Sequence, residues 1–205
     1  MTVRRITYSS DNMEARVSCD EGSFLVTAVD AAVFTVGMMR TEAEEEMLKN
    51  SEQRLKCIKS ALSRIAYSDI SRKNLYRKLR SKYPPKLCEE TVELMAERGY
   101  IDDERLCRDT VETLYRVRLY GKRKIAAKLY ADGFDSETVR NIFDEFEFDS
   151  DFENMEKLLM KKYGASAFKA RREQKAKICA YLYSQGYGYS EINGIADSFA
   201  EDDDE

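Results

Sequence analysis

Asp102, Asp103 and Glu104 form the only side-chain cluster in this chain whose types look catalytic. Three adjacent carboxylates could hold Mg²⁺ in the manner of a metal-dependent nuclease. Their surroundings suit another role better, because they follow Gly99-Tyr100-Ile101 and open a helix, where carboxylates cap free amides and complement the helix dipole. The chain has no histidine, which removes the usual general base and the Ser-His and Cys-His nucleophile systems. No GxxxxGK[ST] phosphate loop occurs either. The five cysteines, at 19, 57, 88, 107 and 179, include no CxxC pair and lack histidine partners for a common zinc site, so they read as reduced core thiols. No catalytic residue, metal or cofactor is expected, and the chain reads as a non-enzyme.

The other chemistry on offer is recognition of charge. The totals, 34 basic against 38 acidic residues, are nearly balanced and point to no partner. Their distribution is uneven. Residues 68–86 hold seven basic side chains and only Asp69, 114–131 hold six and no acid, and 157–177 hold eight and only Glu173. Between Asp135 and Glu156 nine carboxylates face the single Arg140. Candidate binding residues are Arg72, Lys73, Arg77 and Lys78, then Arg116, Arg118, Lys122, Arg123, Lys124 and Lys128, then Arg171, Arg172 and Lys175. Such stripes suit a polyanion or a protein of mixed charge; the plainer alternative is solvated helix faces paired in salt bridges. Tyr115, Tyr120, Tyr130, Tyr181 and Tyr183 stand among these charges and could stack on nucleobases, although packing at the core edge is the reading that amphipathic helices favour.

The elements that position these residues repeat. Leu75 and Leu79, Ile125 and Leu129, and Ile178 and Leu182 are apolar pairs one helical turn apart, the copies offset by 50 and 53 residues. LYADGFDSETVRNIFDEF from Leu129 superimposes without a gap on LYSQGYGYSEINGIADSF from Leu182. Val139, Ile142, Phe143 and Phe146 thereby match Ile192, Ile195, Ala196 and Phe199, one helical face. Gly133 and Gly186 stand where the preceding helix must end in a left-handed residue. In the first copy Pro84 and Pro85 make that break before Val92, Met95 and Ala96. A further helix precedes each pair, with Leu55, Ile58, Leu62 and Ile65 in the first copy, Leu106, Thr110, Leu114 and Val117 in the second, and Phe152, Met155, Leu159 and Tyr163 in the third. Three single-striped helices per copy form a small bundle, giving about nine helices and an all-α protein of three tandem three-helix repeats in an elongated stack.

The expected divisions are a small β-hairpin segment over 1–40, repeats over 41–100, 101–149 and 150–200, and an acidic tail over 201–205. The hairpin rests on the alternation of Ala15, Val17 and Cys19 with Arg16 and Ser18, a turn at Asp20-Glu21-Gly22-Ser23, and the apolar run Phe24-Leu25-Val26. It is too small to stand alone and should pack on the first helix or on a partner. No run of about 18 apolar residues occurs and MTVRRITYSSD lacks the apolar stretch of a signal peptide, so a cytoplasmic protein is expected.

From Arg98 the sequence RGYIDDERLCRDTVETLYRVRLYGKRKIAAKLYADGFDSETVRNIF resembles the RecX family of bacterial regulatory proteins. The segment Gly99, Tyr100, Ile101, Asp102, Asp103, Glu104 and Arg105 carries the likeness, followed by Gly121, Lys122, Arg123, Ile125 and Leu129 and then Gly133 and Phe134. It covers roughly residues 50–200. Cys107 stands where alanine is common, Asp132-Gly133 replaces a frequent Lys-Gly, and the first repeat ends in Lys82-Tyr83 without glycine. The resemblance implies a monomer that binds along the groove of a RecA-DNA filament, mainly inhibiting strand exchange, ATP turnover and co-protease activity, within DNA repair, recombination and the SOS response. Weak contact with single- or double-stranded DNA is expected and membrane contact is not. The rival reading is a sequence-tolerant nucleic-acid-binding helical repeat acting without a recombinase, with a nuclease as a distant third.

Overall fold

The computed structural model describes residues 2–10, 13–164 and 172–198, and the chain divides into two compact units, Met1–Ile101 and Asp102–Glu205. In the first unit, β1 (Val3–Tyr8), β2 (Glu14–Cys19) and β3 (Gly22–Thr27) form an antiparallel sheet in the order β1-β2-β3. Ala15, Val17 and Val26 point inward while Arg16 is exposed, as the alternation requires. The hairpin expected near 14–26 is present, widened by a strand that alternation does not reveal. The Arg4-Arg5 pair disguises β1. Val3 is fully buried, its amide donates to Met38 O at 3.1 Å, and its carbonyl accepts from Gly37 N at 2.8 Å, so the edge of β1 away from β2 is covered at this residue.

A one-turn helix α1 (Ala28–Ala31) follows, capped by Thr27, and then the 26-residue α2 (Glu42–Tyr67). Thr41 and Glu44 form a reciprocal capping box at its start. The first half of α2 lays Leu48 against Val3, Val17, Val26 and Phe34 under the sheet. Its second half places Cys57 and Ala61 in another core, with Leu75 and Leu79 of α3 (Arg72–Leu79) and Cys88, Val92 and Met95 of α4 (Pro85–Glu97). One helix therefore serves two cores. The small Cys57 and Ala61 carry the inward stripe, which corrects the expectation for Leu62, 37% exposed. The Asp30 carboxylate accepts from the Ser51 hydroxyl, tying α1 to α2.

In the second unit Asp102 caps α5 (Asp103–Glu112), accepting from Arg105 N at 2.9 Å. A π-helical turn, Thr113–Val117, continues it and is followed by α6 (Lys122–Ala131) and α7 (Ser136–Glu145). Next come α8 (Asp151–Tyr163), α9 (Arg172–Gln185) and α10 (Tyr189–Ser198), so ten helices lie among the described residues. Gly133 at φ 90° and Gly186 at φ 101° end α6 and α9 in the left-handed region, as their spacing predicts. The α5 stripe is corrected. Cys107, Val111 and Tyr115 are buried, Leu106 and Leu114 lie only partly in the core, and Val117 is 72% exposed. The first helix of the third copy keeps Met155 and Leu159 inside but leaves Phe152 at 46% exposure. Phe199, the side chain of Ala196 and the acidic tail lie outside the described residues.

The α5–α7 bundle and the α8–α10 bundle are joined backbone to backbone. Gly121 N donates to Gln185 O at 3.0 Å and Arg123 N to Gly186 O at 3.2 Å, so the carbonyls ending α9 satisfy the free amides opening α6. A Cβ on Gly121 would lie 2.5 Å from the Gly186 carbonyl carbon and 2.6 Å from Tyr187 N. Gly121→Ala is accordingly expected to cost at least about 2 kcal/mol, since overpacking against backbone cannot relax by rotation. Gly194→Ala, mid-α10 and facing open space, should instead gain about 0.5–1 kcal/mol. Thermal melting of both checks this: an unshifted midpoint for Gly121→Ala would show that the joint is looser than drawn.

Candidate functional site

The predicted basic residues fall on α3 in the first unit and, in the second, on the π-helical turn and its end, on α6 and on α9. In the first unit Arg72, Lys73, Arg77 and Lys78 are exposed on α3, whose opposite side buries Leu75 and Leu79 completely. Ser71 caps this helix by accepting from Asn74 N at 3.3 Å, so the basic side chains are not needed for capping. Arg72 reaches Glu93 of α4 at 3.7 Å. Among the described residues Lys73, Arg77 and Lys78 make no ion pair.

In the second unit the bundle joint sorts the middle stripe into engaged and disengaged cations. Lys124 is half-buried, with its ammonium 2.9 Å from Gln185 Oε1 and 3.9 Å from the centre of the Tyr120 ring. Lys124 is a structural link. Lys122 sits over Phe148 at 4.5 Å and Arg123 over Tyr183 at 3.9 Å. Arg116 pairs with Glu112 at 3.3 Å, one helical turn back. Arg118 and Lys128 are exposed and make no ion pair among the described residues. From the third stripe Lys175 is exposed on α9, while Arg171 and the side chain of Arg172 lie outside the described residues.

Of the tyrosines, Tyr115 cannot meet a base: it is 1% exposed and edge-on to Phe146 and Phe148, with ring centres at 5.5 and 5.0 Å. Its hydroxyl accepts from Ser150 N at 2.9 Å. Burial pushes the phenol well above its ordinary range, the Ser150 amide opposing the rise and the Asp151 carboxyl adding to it. Tyr120 and Tyr181 are half-buried, Tyr130 is exposed without a ring partner among the described residues, and Tyr183 is rim-exposed against Arg123. The residue overlooked in the sequence is Tyr189, 68% exposed, its ring 4.9 Å from that of Tyr183 at an interplanar angle of 33°.

The acidic cluster is not assembled as a metal centre: Asp102 is committed to its cap, and no group of three or more His, Cys, Asp or Glu suited to a metal occurs among the described residues. Burial raises the thiols of Cys57, Cys88 and Cys107, the last to about 11, so all three are protonated and unreactive at neutral pH. No helix among the described residues is long and apolar enough to cross a membrane.

Asp151, the first residue of α8, stands in the joint with Oδ1 buried and without a hydrogen-bond partner among the described residues. Burial pushes its carboxyl upward, opposed by the Tyr115 hydroxyl and the Lys122 charge and reinforced by Glu191 and Asp149. A carboxyl raised in the folded state favours folding when protonated, and that contribution disappears as pH rises through the folded pKa. Asp151→Asn should therefore melt higher than the parent near pH 7, and the gap should close as pH falls below the ordinary carboxylate range. A series of melting curves against pH checks this; a gap of constant size, or an asparagine variant less stable at neutral pH, contradicts it.

Comparison with known proteins agrees with this architecture. Residues 149–195 match the RecX third three-helix domain. The regulatory protein RecX of Clostridioides difficile (strain 630) is 25% identical over 179 residues, covering 85% of this chain and 84% of the relative. A crystal structure of a regulatory protein RecX shares the fold with a TM-score of 0.79 at 18% identity, covering 96% of this chain and 98% of the other. The crystal structure of RecX from Lactobacillus salivarius superimposes with a TM-score of 0.64 at 21% identity, over 73% of this chain and 97% of that one. The resemblance drawn from the sequence is borne out by the match of residues 149–195 to the RecX third three-helix domain.

Proposed function

We propose, for this relative of RecX regulatory proteins, that it binds RecA-type recombinase filaments and lowers their strand-exchange, ATPase and co-protease activities without catalysing a reaction itself. The observation that carries this reading is the set of exposed cations that make no ion pair among the described residues: Lys73, Arg77 and Lys78 on α3, and Arg118 at the end of the π-helical turn and Lys128 on α6. A filament groove offers both protein carboxylates and DNA phosphates, and each unit presents cations that the fold does not spend on its own ion pairs. Lys124 leaves the binding set, being held in the joint, and Lys122 is partly offset by Asp151. Asp102 supports the non-catalytic reading, since its carboxylate is occupied by the start of α5.

Two charge-reversed proteins test the proposal, one carrying Lys73→Glu, Arg77→Glu and Lys78→Glu, the other Arg118→Glu and Lys128→Glu. Exposed charges contribute only about 0.5 kcal/mol each, so helicity and melting should stay near the parent. Inhibition of recombinase ATPase on single-stranded DNA should fall at least about tenfold in one or both, and parental inhibition should weaken with added salt. If both proteins inhibit as well as the parent, these faces are merely solvated and the reading fails. A parallel loss of affinity for naked DNA, with no filament effect, would favour the nucleic-acid-binding alternative.

A further inference from the structure

We propose that Tyr183, Tyr189 and Arg123 form a stacking site for an unpaired base of single-stranded DNA. Tyr183 near the end of α9 and Tyr189 at the start of α10 bring their rings to 4.9 Å at 33°, close enough to parallel to act as a short platform. Tyr189 is 68% exposed, so much of its ring remains open to a further aromatic layer. The guanidinium of Arg123 lies 3.9 Å from the centre of the Tyr183 ring. Arg123 makes no ion pair among the described residues, so its N–H groups remain available to a phosphate while its guanidinium lies over the ring. An aromatic face for the base beside a fixed cation for the backbone is the combination that sequence-tolerant single-strand binding uses.

The plainer role, fastening α6 to α9, does not require this stack. Arg123 N already donates to Gly186 O, Gly121 N to Gln185 O, and Lys124 to the Gln185 side chain. Those bonds also hold the platform rigid, so a base meets a preformed surface and ordering costs little. The neighbouring pair makes a useful contrast. Tyr163 and Tyr181 meet edge-on at 87° with centres 6.0 Å apart, both half-buried, and Lys162 covers Tyr181 at 3.5 Å. That pair presents no parallel rings. The other exposed tyrosines among the described residues, Tyr8, Tyr67, Tyr100 and Tyr130, have neither a ring nor a cation stacked beside them.

The site adds a strand contact to the filament reading, yet its test uses naked DNA alone, so either can fail without the other. The chain contains no tryptophan, so Tyr189→Trp introduces a single indole at the platform. Titration with oligothymidylate should quench that indole strongly, whereas an abasic deoxyribose-phosphate strand of equal length should not. In parallel, Tyr189→Leu should bind oligothymidylate about tenfold more weakly, about 1.4 kcal/mol. It should bind the abasic strand as the parent does and melt at the parental temperature, and Tyr189→Phe should retain parental affinity. An indole unaffected by oligothymidylate, undiminished affinity in Tyr189→Leu, or equal losses on both strands overturns the site.

Discussion

The contact between Gly121 and Gly186 governs the second unit, because there the backbones of two helices meet more closely than any side chain permits. The carbonyls at the end of α9 accept from the amides at the start of α6, so one helix's unsatisfied acceptors meet another's unsatisfied donors. The arrangement also sets the negative end of one macrodipole against the positive end of the other. Gly121 consequently makes no side-chain cap, and α6 has no acidic residue in its first turn, where one would ordinarily stabilise it. Neighbouring geometry follows from this approach. Leu119 adopts φ 57°, unusual for a branched residue, and its side chain packs against the α8–α10 core while its carbonyl accepts from the Tyr187 hydroxyl at 3.1 Å. Lys124 is drawn into the joint because a residue three places after Gly121 necessarily faces α9.

The π-helical turn supplies the other half of the constraint. Arg118 N reaches back five residues to Thr113 O, and Tyr120 N reaches Leu114 O, so one extra residue is accommodated between the α5 face and the joint. Tyr115 inside that turn is held at both ends of the residue: its hydroxyl accepts from Ser150 N, and its carbonyl accepts from Asn154 Nδ2 at 3.4 Å. This anchoring brings the α8 start, with Asp151, into a partly buried position where its charge is unfavourable. The strain at Leu119 and the burial of Asp151 both arise where the two bundles close on each other.

The repeat logic was legible in the sequence because it depends on local chemistry. The pairs Leu75/Leu79, Ile125/Leu129 and Ile178/Leu182 are all buried, and Gly133 and Gly186 take the left-handed conformation that a helix end needs. Asp102 caps its helix as its position foretells. The features hidden from the sequence depend on distant partners. A regular 3.6-residue count fits a stripe from Leu106 to Val117, but the adjacent face of Cys107, Val111 and Tyr115 is the buried one, its last member fixed by the bond from Ser150. Leu62 is outward because the smaller Cys57 and Ala61 let α4 approach. Among the cations, sequence spacing set out a uniform stripe from Arg116 to Lys128. Whether each one meets a carboxylate, a ring or water was decided by residues up to about sixty positions away, as Lys124 and Gln185 illustrate.

That sorting bears on why the fold tolerates so many like charges. Lys73 and Arg77, and Lys124 and Lys128, stand four apart on their helices, a spacing that costs about 0.2–0.5 kcal/mol per like pair. The same helices fully bury Leu75 and Leu79, and Ile125 and Leu129, each worth about 1.5–3 kcal/mol. Burial exceeds repulsion several-fold, so α3 and α6 form without neutralising their outer faces. Lys124 escapes most of its repulsion by turning into the joint, which leaves Lys128 exposed beyond it. A helix secured by its apolar side and its backbone termini is free to carry charge whose compensation comes from another molecule, and in this chain α3 and α6 each meet that condition within their own unit.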